Sequence, residues 1–355
     1  MIENAEGEPS TTGEPPTTGG PTVGELGEAG VLRRVLARLG DARAATVGPG
    51  DDCAVLRMSG ETVVTTDTMV EGPDFRLSWH NGFELGWKLA ATNLSDVAAM
   101  GAVPTALTVA FAVPRDTPVA LLERIADGLD AACRELAPGC GVVGGDLGTA
   151  PAVMASVTAM GDLEGRPPTL RSGAEPGDVV AYAGDLGLAG LGLSLLFAEA
   201  ADADGTAHSR TLPELRRRHP EAIAAQLAPT PPIALGTVAA QAGATAMMDV
   251  SDSLSIDADR MARASGAVLD LDAGLLDTGF GVQRGTTVSL AAMPTGGEDH
   301  GLLATFPAGA EPPLGFHTIG AVRVPSEDEQ PGVRIDGEAL EPQGWDPYRV
   351  QLPGL

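Results

Sequence analysis

Apolar side chains recur at helical intervals in three stretches of the first half of the chain. Val31, Leu32, Val35, Leu36 and Leu39 mark one helix from about Glu25. Leu85, Leu89, Ala90, Leu94 and Val97 mark a second over 83–100, and 119–136 reads as an amphipathic third. Between them run short β-branched or apolar segments at 53–56, 61–67, 105–113, 141–146 and 153–160, each predicted to be a strand. The breaker-rich segment 165–177 (GRPPTLRSGAEPG) predicts a domain boundary. Beyond it the spacing predicts strands at 178–183 and 244–250 and helices at 188–201, 233–242 and 254–264. The polar stretch 201–220 reads as an exposed loop or ragged helix. Strands alternating with helices in both halves give the class α/β (α+β) and two domains, 25–165 and 166–355. Residues 1–24, rich in Thr, Pro, Gly and Glu, offer nothing to bury and are expected to form a disordered tail.

Composition narrows the possibilities. The 355 residues carry 48 acids against 22 bases, a formal charge of −26, which argues against nucleic-acid or anionic-membrane binding. The chain has no apolar run long enough to span a bilayer and no basic, apolar leader, so a cytoplasmic protein is expected. Cys53, Cys133 and Cys140 have neither disulfide-framework nor zinc-ligand spacing. Lys88 is the only lysine, and no G-x-x-x-x-G-K-[ST] string exists, so a P-loop is excluded. If phosphate is handled, something other than lysine must neutralise it.

The acids themselves are more informative. Asp67, Asp146 and Asp249 each close an apolar run, Asp51 and Asp52 precede a strand, and Asp96 ends or interrupts a helix. Carboxylates aimed at one cleft repel one another unless hard cations lie between them, and Mg²⁺ suits an oxygen-only donor set completed by water and phosphate. Thr65, Thr66, Ser95 and Ser251 add neutral oxygens beside these acids. Each site also has a plainer explanation. Gly-Asp-Asp is a common turn, Asp96 fits a helix stop, and Ser251 with Asp252 fits a helix N-cap and first-turn acid. Five such sites in one chain without a phosphate-binding lysine favour a metal–phosphate cleft. The run 184–192 (GDLGLAGLG), between a predicted strand and helix, fits either a phosphate cradle or close helix–strand packing. Arg171 fits either a surface charge or a phosphate ligand. His300 has no companion at metal-ligand spacing.

Several strings occur in the order seen in one family: Gly48-Pro-Gly-Asp-Asp-Cys-Ala54, Thr65-Thr-Asp-Thr-Met-Val-Glu-Gly72, Asn93-Leu-Ser-Asp-Val-Ala-Ala-Met-Gly-Ala102, Gly144-Gly-Asp146, Arg171-Ser-Gly-Ala-Glu-Pro-Gly-Asp178, Asp249-Val-Ser-Asp252, Gly296-Gly-Glu-Asp299 and Gly344-Trp-Asp346. Together they resemble the thiamine-monophosphate kinases, of the superfamily shared with aminoimidazole ribonucleotide synthetase, selenide-water dikinase and hydrogenase maturation factor HypE. The resemblance implies transfer of the ATP γ-phosphoryl group to thiamine monophosphate. It implies Asp52, Thr65, Thr66, Asp67, Asp96, Asp146, Asp249 and Asp252 as Mg²⁺ ligands, with Asp146 and Asp252 acting in catalysis. Arg171, Ser251, Gly145 and Asp146 would contact ATP, and Asp74, Glu298 and Trp345 would hold the thiamine substrate. The implied fold is a two-domain α/β subunit whose N-terminal sheets join across a homodimer as a barrel. Asp74 stands where many relatives have His, Ser253 replaces a usual Gly, and His300-Gly301 replaces Tyr-Glu. The absence of Cys before Cys53 disfavours the dikinase, and the ending Leu352-Pro-Gly-Leu355 disfavours HypE. A synthetase-like enzyme and a non-catalytic cation-binding scaffold are the alternatives.

Overall fold

The structure, a computed structural model, describes residues 20–344. The first half contains α1 (Val23–Leu36), β1 (Ala45–Val47), β2 (Val55–Leu56), β3 (Thr62–Val70), α2 (Gly82–Ala99), β4 (Val103–Val113), α3 (Val119–Leu136), β5 (Val142–Thr149) and β6 (Met154–Asp162). The second half contains β7 (Val179–Ala183), α4 (Leu188–Glu199), α5 (Leu212–Arg218), α6 (Pro220–Leu227), α7 (Ile233–Gln241), β8 (Ala246–Val250), α8 (Leu254–Ser265), β9 (Val268–Leu271), α9 (Ala273–Phe280), β10 (Val282–Gln283), β11 (Thr286–Thr287), β12 (Gly301–Phe306), β13 (His317–Arg323), β14 (Gly332–Ile335) and β15 (Glu338–Ala339).

Helix α1 starts two residues ahead of the expected Glu25, because Thr22 and Glu25 form a capping box. The backbone N–H groups of Val23 and Gly24 also donate to the carbonyls of Thr117 and Arg115, at 2.9 and 2.7 Å. Residues 20–24, assigned from sequence to the tail, are thereby held against the fold.

Four strands form the first sheet in the order β3-β6-β4-β5, with only β4 and β5 parallel. One face packs Val157, Ala159 and Leu107 against Leu85, Leu89 and Leu94 of α2 and Ile125 of α3. The two helices cross at glycine: a Cβ on Gly86 would sit 1.9 Å from the Ile125 carbonyl oxygen, and one on Gly128 2.0 Å from that of Phe83. The opposite face is covered at one end, where Ala45, Ala54 and Leu56 pack against Ala106 and Val143. Elsewhere it carries Thr66, Thr68, Ser156 and Thr158, with Val64 64% exposed.

The second sheet runs β15-β14-β9-β13-β7-β12-β8, antiparallel except for β14 with β9. Helices α4, α8 and α9 bury Leu188, Met261 and Leu276 in one core. On a separate cluster Ala239 of α7 and Ala99 at the end of α2 meet Met247, Leu302 and Phe306. Helix α2 therefore belongs to the cores of both sheets and fixes their junction, where the acids gather.

Three sequence expectations about those acids are corrected. Asp67 and Asp146 lie inside β3 and β5 rather than at their ends. Hydrogen-bonded pairing with the neighbouring strand continues past the apolar run, so a polar residue does not end the strand there. Asp96 lies within α2, which continues to Ala99. The cap of α8 is Ser253, whose hydroxyl accepts from the Ile256 N–H, not Ser251.

Candidate active site

Asp67 of β3, Asp96 of α2, Asp249 of β8 and Asp252 of the following turn come together between the two sheets. Their proximity shows in their ionisation. Asp96 is pushed up to about 8, by burial first and then by the charges of Asp249 and Asp67. Asp67 is raised as well, by burial first, with Asp249 and Asp252 adding to it and His300 opposing it. Few donors balance this charge. The Thr65 hydroxyl donates to Asp96 Oδ2 at 2.8 Å and the Ser95 hydroxyl to Asp249 Oδ2 at 3.1 Å. His300 Nδ1 lies 3.4 Å from the same Asp249 oxygen, and Arg260 pairs with Asp252 at 2.6 Å.

The 251–253 turn is shaped by a residue that sequence reasoning passed over. Asp257 Oδ2 accepts the backbone N–H groups of Ser251, Asp252 and Ser253 at 3.1, 3.0 and 3.3 Å. Its carboxyl is raised to about 6, chiefly by burial. An acid in the first turn of an amphipathic helix is a visible sequence signal, and Asp257 stands at that position in α8. His300 has no companion at metal-ligand spacing in the sequence; its partner in the fold is the Asp249 carboxylate.

One of the four acids, Asp252, borders a cleft of about 380 Å³. Asp252, Asp74 and Glu298 line it, together with Trp79, His80 and Phe197. Asp74 Oδ2 accepts from the Val70 N–H at 2.8 Å, and burial followed by the nearby Glu298 raises its carboxyl. Glu298, placed from sequence beside a cationic substrate, already has a cation: Lys88 Nζ lies 2.9 Å from its Oε1. Lys88 is wholly buried and also donates to the Gln226 carbonyl at 3.1 Å. The single lysine thus neutralises a protein carboxylate. A lone charge among Leu85, Trp87 and Leu89 was the available signal for such a buried pair. Trp345 lies outside the described residues.

The other expected residues stand elsewhere, so the eight proposed ligands do not form one cluster within the chain. Strands β3 and β5 are opposite edges of their sheet. Asp67 shares a row with Val157, Val109 and Gly145, which puts about three strand spacings, roughly 14 Å, between Asp67 and Gly145. Asp146 is one position further along and leaves the other face, as Thr66 does relative to Thr65. Thr66 accordingly donates to the Val157 carbonyl at 2.9 Å, away from Asp96. Asp52, Gly145 and Asp146 line a second cavity, of about 520 Å³, between α1, α3 and β5. Arg171 is exposed on the loop entering beside β8, where the Met247 N–H donates to the Leu170 carbonyl at 3.2 Å. Ser251 lies four residues further along, about 13 Å away.

The glycine run before α4 is not an open phosphate cradle. The N–H groups of Gly187 and Ala189 donate to the Asp299 carboxylate at 2.5 and 2.8 Å. Asp299 is buried, which raises it to about 7 against the pull of those bonds.

Mg²⁺ can be tested against these residues. The donors are all oxygen, and the carboxylates carry more negative charge than their hydrogen-bond partners offset, as a hard dication requires. Among the described residues no three His, Cys, Asp or Glu side chains form a cage by themselves. An ion there would take part of its shell from water and phosphate, the usual arrangement for Mg²⁺. The residues fit the ion on those terms.

A mixed fold with an acid-lined cleft at the junction of two sheets defines a class. Residues 50–163 match the family model described as AIR synthase related protein, N-terminal domain. The chain is also 39% identical over 324 residues to the thiamine-monophosphate kinase of Mycobacterium tuberculosis, covering 90% of each. A solved thiamine-monophosphate kinase from Stenotrophomonas maltophilia superposes with a TM-score of 0.69 at 30% identity, covering 87% of this chain and 97% of that one. AaThiL complexed with AMPPCP and TMP gives 0.68 at 29%, covering 90% and 97%. The chain belongs to the thiamine-monophosphate kinase family.

Proposed function

We propose that this protein transfers the γ-phosphoryl group of ATP to thiamine monophosphate, forming thiamine diphosphate and ADP. The observation that carries it is the meeting of Asp67, Asp96, Asp249 and Asp252, from separate elements of both sheets, beside a cleft sized for a small organic molecule. The kinase relatives, one of them complexed with AMPPCP and TMP, supply the two substrates.

Joining two phosphates is mainly a problem of charge and alignment. Two unit charges 4 Å apart repel by about 4 kcal/mol at an effective dielectric of 20, and phosphates carry more than one. Asp67, Asp96, Asp249 and Asp252, with the Thr65 hydroxyl, would hold Mg²⁺. Asp52 and Asp146 would add ligands from the second cavity, and Thr66 from the partly open face of β3. When bound, the ions neutralise the phosphates and stabilise the leaving oxygen. Asp252, at the border of the cleft and fixed through Asp257 and Arg260, orients the reacting ends. Asp146 acts from β5, with Gly145, Ser251 and Arg171 on the nucleotide. Asp74 and Glu298 bind the acceptor, with Lys88 holding Glu298 in a fixed orientation. The acceptor oxygen is already ionised, so the chain needs no strong base.

The partly open face of the first sheet supports a homodimer in which two such sheets close into a barrel. The two cores support the division into domains at 25–165 and 166–355. No helix of the described residues is long and apolar enough to cross a membrane, in keeping with a cytoplasmic location. The test is an assay of purified protein with ATP, Mg²⁺ and thiamine monophosphate, with the aminoimidazole precursor as control. Thiamine diphosphate should form and the control should be inert. Turnover of the precursor alone would overturn the assignment.

A further inference from the structure

Three of the four carboxylates at the sheet junction are held by one oxygen only. Asp96 Oδ2 accepts from the Thr65 hydroxyl at 2.8 Å, Asp252 Oδ2 pairs with Arg260 at 2.6 Å, and Asp249 Oδ2 faces His300 Nδ1 at 3.4 Å. Among the described residues the Oδ1 atom of each has no hydrogen-bond partner. A carboxylate with one oxygen pinned and the other free is arranged as a single-oxygen ligand for a hard cation.

At Asp249 the pinning rests on His300. The Ser95 hydroxyl also reaches Oδ2, at 3.1 Å, but it has one proton and a second, nearer acceptor, the Thr92 carbonyl at 2.6 Å. An ionised carboxylate only accepts, so the imidazole carries a proton on Nδ1. Among the described residues that N–H has no other acceptor. The ring is aimed by its own backbone. The His300 N–H donates at 3.0 Å to the carbonyl of Val250, the residue after Asp249. A φ of 54° puts His300 in the left-handed region, which His adopts more readily than most side chains. The preceding residue, Asp299, anchors the loop through the N–H groups of Gly187 and Ala189. The influence of the ring extends beyond Asp249: burial raises Asp67 and Asp96, and His300 opposes that rise at each.

Building on the kinase activity proposed above, we propose that His300 is a positioning residue for the metal: its Nδ1–H holds Asp249 Oδ2 so that Oδ1 is presented to Mg²⁺. It acts through Asp249 and touches no reacting atom.

The test separates the donor from the backbone. His300→Gly keeps the left-handed conformation and removes the donor, whereas His300→Asn suits that conformation and places an N–H where Nδ1 stands. Mg²⁺ is titrated into each protein in the presence of ADP, and the rise in melting temperature gives the half-saturating metal concentration. That concentration should increase by about 10- to 100-fold in the glycine variant, and the asparagine variant should recover most of the loss. KM for thiamine monophosphate at saturating Mg²⁺ should stay within about threefold of wild type in both. A half-saturating concentration within about threefold of wild type in the glycine variant, or an equal loss in the asparagine variant, would overturn the proposal. So would the lack of any metal effect on wild type. Should the glycine variant fail to fold, His300→Gln, whose amide nitrogen falls near the Nε2 position, takes its place with the same expectation. Failure to form thiamine diphosphate with these metal effects intact would instead count against the kinase activity alone.

Discussion

Asp96 concentrates the tension of the site in one side chain. Its carboxyl is raised to about 8 because burial and two neighbouring acids oppose its charge. Asp96→Asn keeps the shape and an oxygen for the Thr65 hydroxyl, but removes that charge. In metal-free protein at pH 8.5 the variant should melt higher than wild type, while its phosphotransfer falls on the order of 10²-fold or more. Thermal denaturation and a product assay check both halves. Asp299 has the opposite character: it is structural. Asp299→Ala leaves two N–H groups at the start of α4 without an acceptor, at about 1–3 kcal/mol each, so the melting temperature should drop by several degrees. Residue types foretold part of this. Asp67, Asp96, Asp249 and Asp252 were visible from their neighbours in sequence, whereas Lys88, His300 and Asp257 act through partners 210, 51 and 4 to 6 residues away.

At the scale of elements, helix α2 explains why one string of sequence carries so much. Its Leu85, Leu89 and Leu94 pack the first sheet, its Ala99 joins the second core, and Asp96 lies on the same helix. Periodicity located this helix within a residue at each end. It misjudged β3 and β5, because strand ends are set by pairing with a neighbour and not by local hydrophobicity. That error had a consequence for the site: edge strands on opposite sides of a sheet keep Asp67 and Asp146 apart, which no linear spacing reveals. The partly open sheet face makes a prediction of its own. Under the proposed sheet-to-sheet homodimer, wild type should be dimeric and Val64→Glu a folded monomer, as light scattering in solution would show. Persistence of the dimer would count against the sheet-to-sheet interface.

The whole molecule should respond to pH through its raised acids. Asp96 and Asp299, near 8 and 7 in the folded state, bind protons there that the unfolded chain, with ordinary carboxyls, does not hold. Metal-free stability should therefore fall as pH rises from about 7 to about 8.5. Mg²⁺ bound at Asp96 would compete with the proton there, so its stabilising effect should be larger at the higher pH. Thermal denaturation at the two pH values, with and without the ion, reads both trends. An increment that shrinks with pH would mean that the ion binds elsewhere. The charge of −26 then divides into a large solvated share and a small group of acids that, on the proposed function, would recruit cations.

The central claim is direct transfer between the two substrates at the Asp67–Asp96–Asp249–Asp252 group. The most direct measurement follows the γ-phosphoryl label of ATP in the presence of Mg²⁺ and thiamine monophosphate. The label should appear in the terminal phosphate of thiamine diphosphate, with one ADP per product, in wild type and only in trace amounts in Asp249→Asn. Label released as inorganic phosphate without thiamine diphosphate, or undiminished transfer by Asp249→Asn, would contradict it.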